Sequence, residues 1–169
     1  MALKYLPRGF TLIELLLVIA IIGVLAGIVF ASIGGARVDA QNTTNNQIIK
    51  EYVKAFEFYY LRHGTYPDPG VFDYCLGDYT DNLCGFSDSS SEDSTLNAQL
   101  SEFYPSLPRF DEITFSMWLF EGPTYTCQVR SGSRCIQYGL IWVLEGNVSC
   151  GGAEPGYIGD KTLCIYLSN

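Results

Sequence analysis

The chain offers few groups with which to do chemistry: one histidine, six cysteines and 18 carboxylates among 169 residues. Nucleophilic catalysis needs a hydroxyl or thiol beside a base, with a third group to orient that base. No Ser/His/Asp set can be assembled around His63. The run "GGAEPG" is rich in turn residues but lacks the strand-Gly-helix setting that phosphate binding requires. No enzyme is expected. The cysteines are Cys75, Cys84, Cys127, Cys135, Cys150 and Cys164. None forms a C-x-x-C pair and the histidine is distant, so zinc fits poorly and disulfides fit better. Six cysteines can pair in many ways. Locality predicts sequential pairing. Cys75 with Cys84 would staple an acidic loop, and Cys150 with Cys164 would close the Gly-rich "GGAEPGYIGDKTL" onto a last strand. Cys127 and Cys135 are symmetric about Ser131. In a hairpin with an odd-numbered loop centred there they would face each other, within disulfide reach. Each short loop closed is worth ~2–3 kcal/mol. Asp73, Asp78 and Asp81 raise the question of calcium, but their spacing does not match the helix-flanked calcium loop. A solvated acidic loop is the reading preferred; no metal and no cofactor are expected, with calcium in an acidic loop the alternative.

One carboxylate differs from the rest. Glu14 stands at the head of a run, Leu15 to Ala36, that contains no charged residue. At ~1.5 Å per residue this run spans roughly 33 Å as a helix, against about 30 Å of hydrocarbon in a bilayer. It predicts a membrane-spanning segment. An ordinary cleaved signal peptide has a shorter apolar region, although "AGIVFASIGGA" offers small residues near the end. Lys4 and Arg8 precede the run, and basic flanks stay cytoplasmic, so everything after Ala36 is expected outside. All six cysteines fall in that exported part, where disulfides persist. The formal net charge of −8 argues against nucleic acid as a partner.

The stretch "RGFTLIELLLVIAIIGVLAGI" follows the short basic leader "MALKYLPRG", with Gly9 immediately before Phe10. It resembles the N-terminus of a type IV prepilin or pseudopilin, over the leader and about the first half of a long helix. The resemblance implies that a membrane-embedded prepilin peptidase cuts between Gly9 and Phe10. It also implies N-methylation of Phe10 and retention of the hydrophobic helix. It implies further that Glu14 meets the cationic amine of Phe10 on a neighbouring subunit, which would set the register of an assembling filament. The residue itself leaves a second reading open. A carboxylate at a bilayer's centre costs about 2.5–3.5 kcal/mol, and less near an end. Glu14 could therefore reach the headgroups, helped by the helix dipole. Gly23 and Gly27 form a small-xxx-small pair that permits close helix contact; equally, they are weak points of about 1 kcal/mol each. Many pilins carry a proline near the middle of this helix, whereas this chain has none between Pro7 and Pro67. Gly34-Gly35 is then the candidate bend.

Helical periodicity continues to His63, with Ile48, Tyr52, Ala55, Phe56 and Tyr59 on one face and Ile49, Val53 and Tyr60 beside it. Between that face and the apolar run lies "DAQNTTNNQ", read as a solvated helical neck or a frayed one. Asn42-Thr43-Thr44 and Asn147-Val148-Ser149 are glycosylation-type triplets, each a weak signal alone. Gly64 and Pro67 end the helix, and a histidine in its last turn interacts with free carbonyls there. The run "FYYLRHGTYP" resembles the end of the long helix in major pseudopilins. The low-complexity "SDSSSEDS" reads as solvated, and "TLNAQLSEFYPSL" as holding a short helix. "ITFSMWLFE", "TYTCQVR", "CIQYGLIWVLE" and "KTLCIYLS" read as strands of an antiparallel meander. The Cys-terminated final loop resembles the disulfide-bounded loop near the C-terminus of many pilins. It carries Glu154 and Asp160, and major pseudopilins hold calcium in such a loop, though no ligand pattern matches here.

The expected fold is therefore α+β. A long N-terminal helix, membrane-spanning in its first half, packs its second half against a C-terminal antiparallel sheet, as in pilins. The expected segments are a leader over 1–9, an assembly helix over 10–36, its amphipathic continuation over 37–63 and a head over 64–169. The expected function is a structural subunit of a type IV pilus or pilus-like filament. Its partners would be prepilin peptidase, other pilin subunits and the cytoplasmic membrane. Two alternatives stay open: a pseudopilin of a secretion or DNA-uptake machine, and a membrane-anchored extracytoplasmic receptor or enzyme domain.

Overall fold

The computed structural model describes residues 10–70, 72–77, 84, 91–104, 106–108, 110, 113–115, 118–120 and 122–169. Lys4, Arg8, Gly9, Asp78, Asp81 and the first four residues of "SDSSSEDS" lie outside them. Helix α1 runs Leu12–His63. The described chain divides into two compact units, one ending at Asp39 and the other comprising Ala40–Asn169.

The first unit is helix. Its apolar side chains are exposed, from Leu12 through Leu16, Ile19 and Leu25 to Ile33. The helix is long and apolar enough to cross a membrane, and none of its most apolar stretch is buried. An all-round apolar helix with no protein around it needs lipid or other chains as its solvent.

The second unit is the head. Here Ile48, Ile49, Tyr52, Ala55, Phe56 and Tyr59 of α1 are buried, at the spacing that a 3.6-residue repeat predicts. The strands are β1 (Tyr74–Cys75), β2 (Ser91–Glu92), β3 (Ile113–Phe115), β4 (Trp118–Phe120), β5 (Thr124–Ser131), β6 (Arg134–Glu145), β7 (Glu154–Ile158) and β8 (Lys161–Leu167). Helix α2 (Ser94–Ser101) is capped by the Asp93 carboxylate, which accepts from the Leu96 N–H at 2.6 Å. The main sheet has the order β2-β1-β5-β6-β8-β7. All neighbours are antiparallel except the short β1/β2 pair at one edge. Phe56 of α1 lies on the sheet between two tyrosines, with ring centroids 4.7 Å from both Tyr125 and Tyr138. Contacts of this kind bind helix to sheet.

Four expectations about the strands need correction. "ITFSMWLFE" is not one strand: it folds back, pairing Ile113 with Phe120 and Phe115 with Trp118 in a separate two-stranded sheet. The sheet is not a simple meander, because β8 pairs with β6 and places β7 at the edge. Accordingly "GGAEPGYIGDKTL" is more than a loop; it contains β7 and the turn into β8. Finally, the β5–β6 hairpin turns at Gly132-Ser133, with Ser131 opposite Arg134. The left-handed φ of +64° at Gly132 suits a two-residue turn, so the loop is even-numbered. Cys127 is opposite Tyr138, and Cys135 opposite Arg130. Register shifts between Cys127 and Arg130 break the regular ladder, and the two cysteine Cα atoms are 5.9 Å apart.

The neck is not frayed, and it is solvated on one face only: Thr43, Thr44 and Gln47 are exposed. Asn42 and Asn45 are buried, and α1 is continuous through them. The Asn42 amide donates to the Glu145 carbonyl at 2.8 Å and its oxygen accepts from the Glu145 N–H at 3.0 Å. Asn46 donates to the Ser149 carbonyl at 3.2 Å and accepts from the Trp142 indole N–H at 3.2 Å. An asparagine amide matches a peptide group in shape and polarity, so it can pair with a strand end as another strand would. Two polar residues that read as solvent-facing, Asn42 and Asn46, join helix to sheet.

Candidate functional site

At the start of α1 three residues make a closed arrangement. The Thr11 N–H donates to Glu14 Oε2 at 2.9 Å, and the Thr11 hydroxyl donates to the same oxygen at 2.8 Å. The Glu14 N–H points back to Thr11 Oγ1 at 3.3 Å. This is a reciprocal capping box, which satisfies donors that the first turn otherwise leaves open. The sequence reading overlooked Thr11, although the T-x-x-E spacing of Thr11 and Glu14 was its signal. Both bonds from Thr11 reach Oε2, so Oε1 can take a further donor. Phe10 directly precedes the box and is exposed. An anionic group folded towards a helix N-terminus is the place to which a cationic amine would be drawn.

Gly23 and Gly27 lie on α1, and a Cβ added at either would meet nothing within 4 Å. The surface there is open to close approach by another helix. The helix also runs through Gly34 and Gly35, where added Cβ atoms would likewise meet nothing.

In the head, disulfides join Cys75 to Cys84, Cys127 to Cys135 and Cys150 to Cys164. The helix ends at Gly64, with φ +69° and its N–H on the Tyr60 carbonyl at 2.7 Å. The Arg134 guanidinium donates to the Gly64 carbonyl. Tyr66 then bridges to Cys135, its N–H donating to the Cys135 carbonyl at 2.9 Å. His63 stacks on Tyr59, with centroids 4.2 Å apart, and lies 3.7 Å from the Glu102 carboxylate that Arg62 also meets. Its neighbours are therefore a ring and an acid rather than backbone carbonyls. Asp73 accepts from the Thr126 hydroxyl, and Asp160 lies 3.7 Å from Lys161. Of the two glycosylation-type asparagines, Asn42 is buried with its amide engaged, whereas Asn147 is exposed.

The comparisons with known proteins bear on the N-terminal region. Residues 7–30 match the family model for the prokaryotic N-terminal methylation motif. The match covers the start of the chain and no more. One similar pilin is the type IV wide pilus major component PilA4 of Thermus thermophilus, 41% identical over 59 residues, which are 35% of this chain and 45% of that protein. Another is the type IV major pilin protein PilE1 of Neisseria gonorrhoeae, 38% identical over 63 residues, 37% of this chain and 38% of that protein. The chain thus spans less than half the length of either pilin that it matches. No solved structure matches it. The methylation motif encloses Phe10, Thr11 and Glu14, so the capping box lies within the matched residues.

Proposed function

We propose that the chain is a prepilin, the structural subunit of a type IV pilus or pilus-like surface filament. Prepilin peptidase cuts between Gly9 and Phe10, and the new amine is methylated. The helix first holds the protein in the cytoplasmic membrane, N-terminus inward, and then forms the filament core. The observation that carries this reading is the union of a methylation-motif N-terminus with an apolar helix exposed on every side. Such a surface needs lipid before assembly and other copies of itself afterwards. The three disulfides support a head in an oxidising compartment. Glu14 supplies the anion for a neighbouring Phe10 amine, and Gly23 and Gly27 supply the close contact.

Intact-mass measurement on protein sheared from the cell surface tests this. A chain that begins at Phe10 and carries one extra methyl group is the expected result. A chain that retains Met1 and never leaves the membrane fraction overturns it. Imaging surface filaments with and without the gene separates a surface pilus from the pseudopilus of a secretion or DNA-uptake machine.

A further inference from the structure

Neither the membrane helix nor the core explains a groove in the head. It has a volume of about 360 Å³ and lies between α1 and the loop that the Cys150–Cys164 disulfide closes. Ile49, Trp142, Ala153 and Tyr166 give it an apolar lining, and Lys50 and Lys54 stand on its helix side. The two lysines are four residues apart, so they occupy neighbouring turns of one face and repel. Other cations of the head are engaged: Arg62 with Glu102, Arg130 with Asp68, Lys161 with Glu145, and Arg134 with the Gly64 carbonyl. Lys50 and Lys54 are in no ion pair among the described residues. Two like charges with no ion-pair partner among the described residues, beside an apolar hollow, call for an occupant that is both apolar and anionic.

We propose that the groove receives the tip of the β7–β8 hairpin from a second copy of this chain, with the Tyr157 ring against the apolar lining and the Asp160 carboxylate at Lys50 and Lys54. This rests on the filament reading. The tip has the matching chemistry: Tyr157 is 61% exposed, Ile158 is 40% exposed, and the Asp160 side chain is 88% exposed. Apolar groups so exposed on an edge hairpin mark a contact surface when a complementary hollow exists. The chain's formal charge of −8 makes heads repel, so contact between copies must bring acid to such cations. A chain cannot fill its own groove with its own tip. Strand β7 is held in register from Glu154 to Ile158, which keeps the tip roughly 15 Å beyond Ala153 at ~3.3 Å per residue. Groove and tip are different surfaces of one molecule, so each contact leaves a free groove and a free tip. Such a heterologous contact propagates instead of closing, as a filament of identical subunits requires.

The test uses assembled filaments of the full chain, grown from a mixture of isotopically light and heavy cells, disrupted and co-assembled. Carbodiimide treatment links lysines to carboxylates in contact, and mass spectrometry identifies the linked peptides. The expected product joins Lys50 or Lys54 to Asp160 with mixed isotopes. The double variant Lys50→Glu with Lys54→Glu is expected to lower sheared filament yield about tenfold. Asp160→Lys should do likewise, and the three changes together should restore yield to within about twofold. Mature, disulfide-bonded subunit in the membrane should stay at the wild-type level in every variant. Links confined to one isotope, or charge reversals without effect on yield, overturn the proposal while leaving the filament reading in place. Absence of the wild-type chain from any filament overturns both.

Discussion

At the residue scale the decisive group is Glu14, which has two roles that can be separated by substitution. Locally its carboxylate closes the box with Thr11; in the proposed filament it also meets an amine from the next chain. Thr11→Val removes the hydroxyl and leaves the charge, at a cost of about 1 kcal/mol to the helix start. Glu14→Ala removes both. The expected outcome is that Thr11→Val inserts and assembles at near-normal yield, whereas Glu14→Ala inserts but gives few or no sheared filaments. Equal yields from the two variants would reduce Glu14 to a helix cap. A second residue-scale prediction concerns Asp68. The Arg130 guanidinium donates to both of its oxygens, at 2.8 and 2.7 Å, and the Gly70 N–H adds a bond at 3.2 Å. These partners, Arg130 first, hold the carboxyl below its ordinary range. A folded-state pKa below the unfolded one gives stability that is complete above about pH 4 and is lost as pH falls through the folded value. The pair is partly exposed, so its worth is ~1 kcal/mol or less. Thermal melts of wild type and Arg130→Met should differ at pH 7 and converge as pH falls through the lowered folded value.

At the element scale the join between α1 and β6 decides how the head is built. Asn42 spans the N–H and carbonyl of Glu145, and Asn46 links Trp142 to Ser149. Removing the Asn42 amide leaves buried backbone groups without partners, at about 1–3 kcal/mol. Asn42→Ala should therefore lower the denaturant midpoint of the head measurably, while Gln47→Ala, at an exposed position, should leave stability within about 0.5 kcal/mol. This join also marks where sequence reading ran out. The burial of Ile48, Ile49, Tyr52, Ala55, Phe56 and Tyr59 was legible because apolar periodicity reports burial directly. "DAQNTTNNQ" has no apolar residue to mark a buried face past its first alanine, and an asparagine that pairs with backbone has the same letter as one that faces water. The place of β7 was hidden for a related reason: "EPGYI" contains a proline and a glycine, and only its position at the sheet edge tolerates them. The site was legible in part. Glu14 stood out because a charge in an apolar run demands an account, but its bond to Thr11 is a matter of short-range geometry that composition does not report.

At the scale of the whole molecule, the chain divides into two units whose surfaces differ. In the first unit the described apolar side chains from Leu12 to Ile33 are exposed; Ala40–Asn169 has its own core, its own sheet and three disulfides. The buried cluster that holds the head together draws its helix residues from Ile48 onward, and the asparagine join begins at Asn42. Every described residue of that cluster lies after Ala40. A chain that starts at Ala40 is therefore expected to fold, leave the membrane fraction and unfold in one cooperative thermal transition. Its new helix start lacks the preceding turns, so Ala40 and Gln41 should fray while Asn42 stays paired. Reduction should lower that transition. The three loops closed are short, with cysteines 9, 8 and 14 residues apart, so each bridge is worth ~2–3 kcal/mol. Losing all three would consume most of the ~5–15 kcal/mol by which a domain of this kind is stable. Melting the fragment with and without reductant measures the difference. A reduced head that melts at the oxidised temperature would show that the helix–sheet core suffices alone, and would remove the physical reason for confining the head to an oxidising compartment.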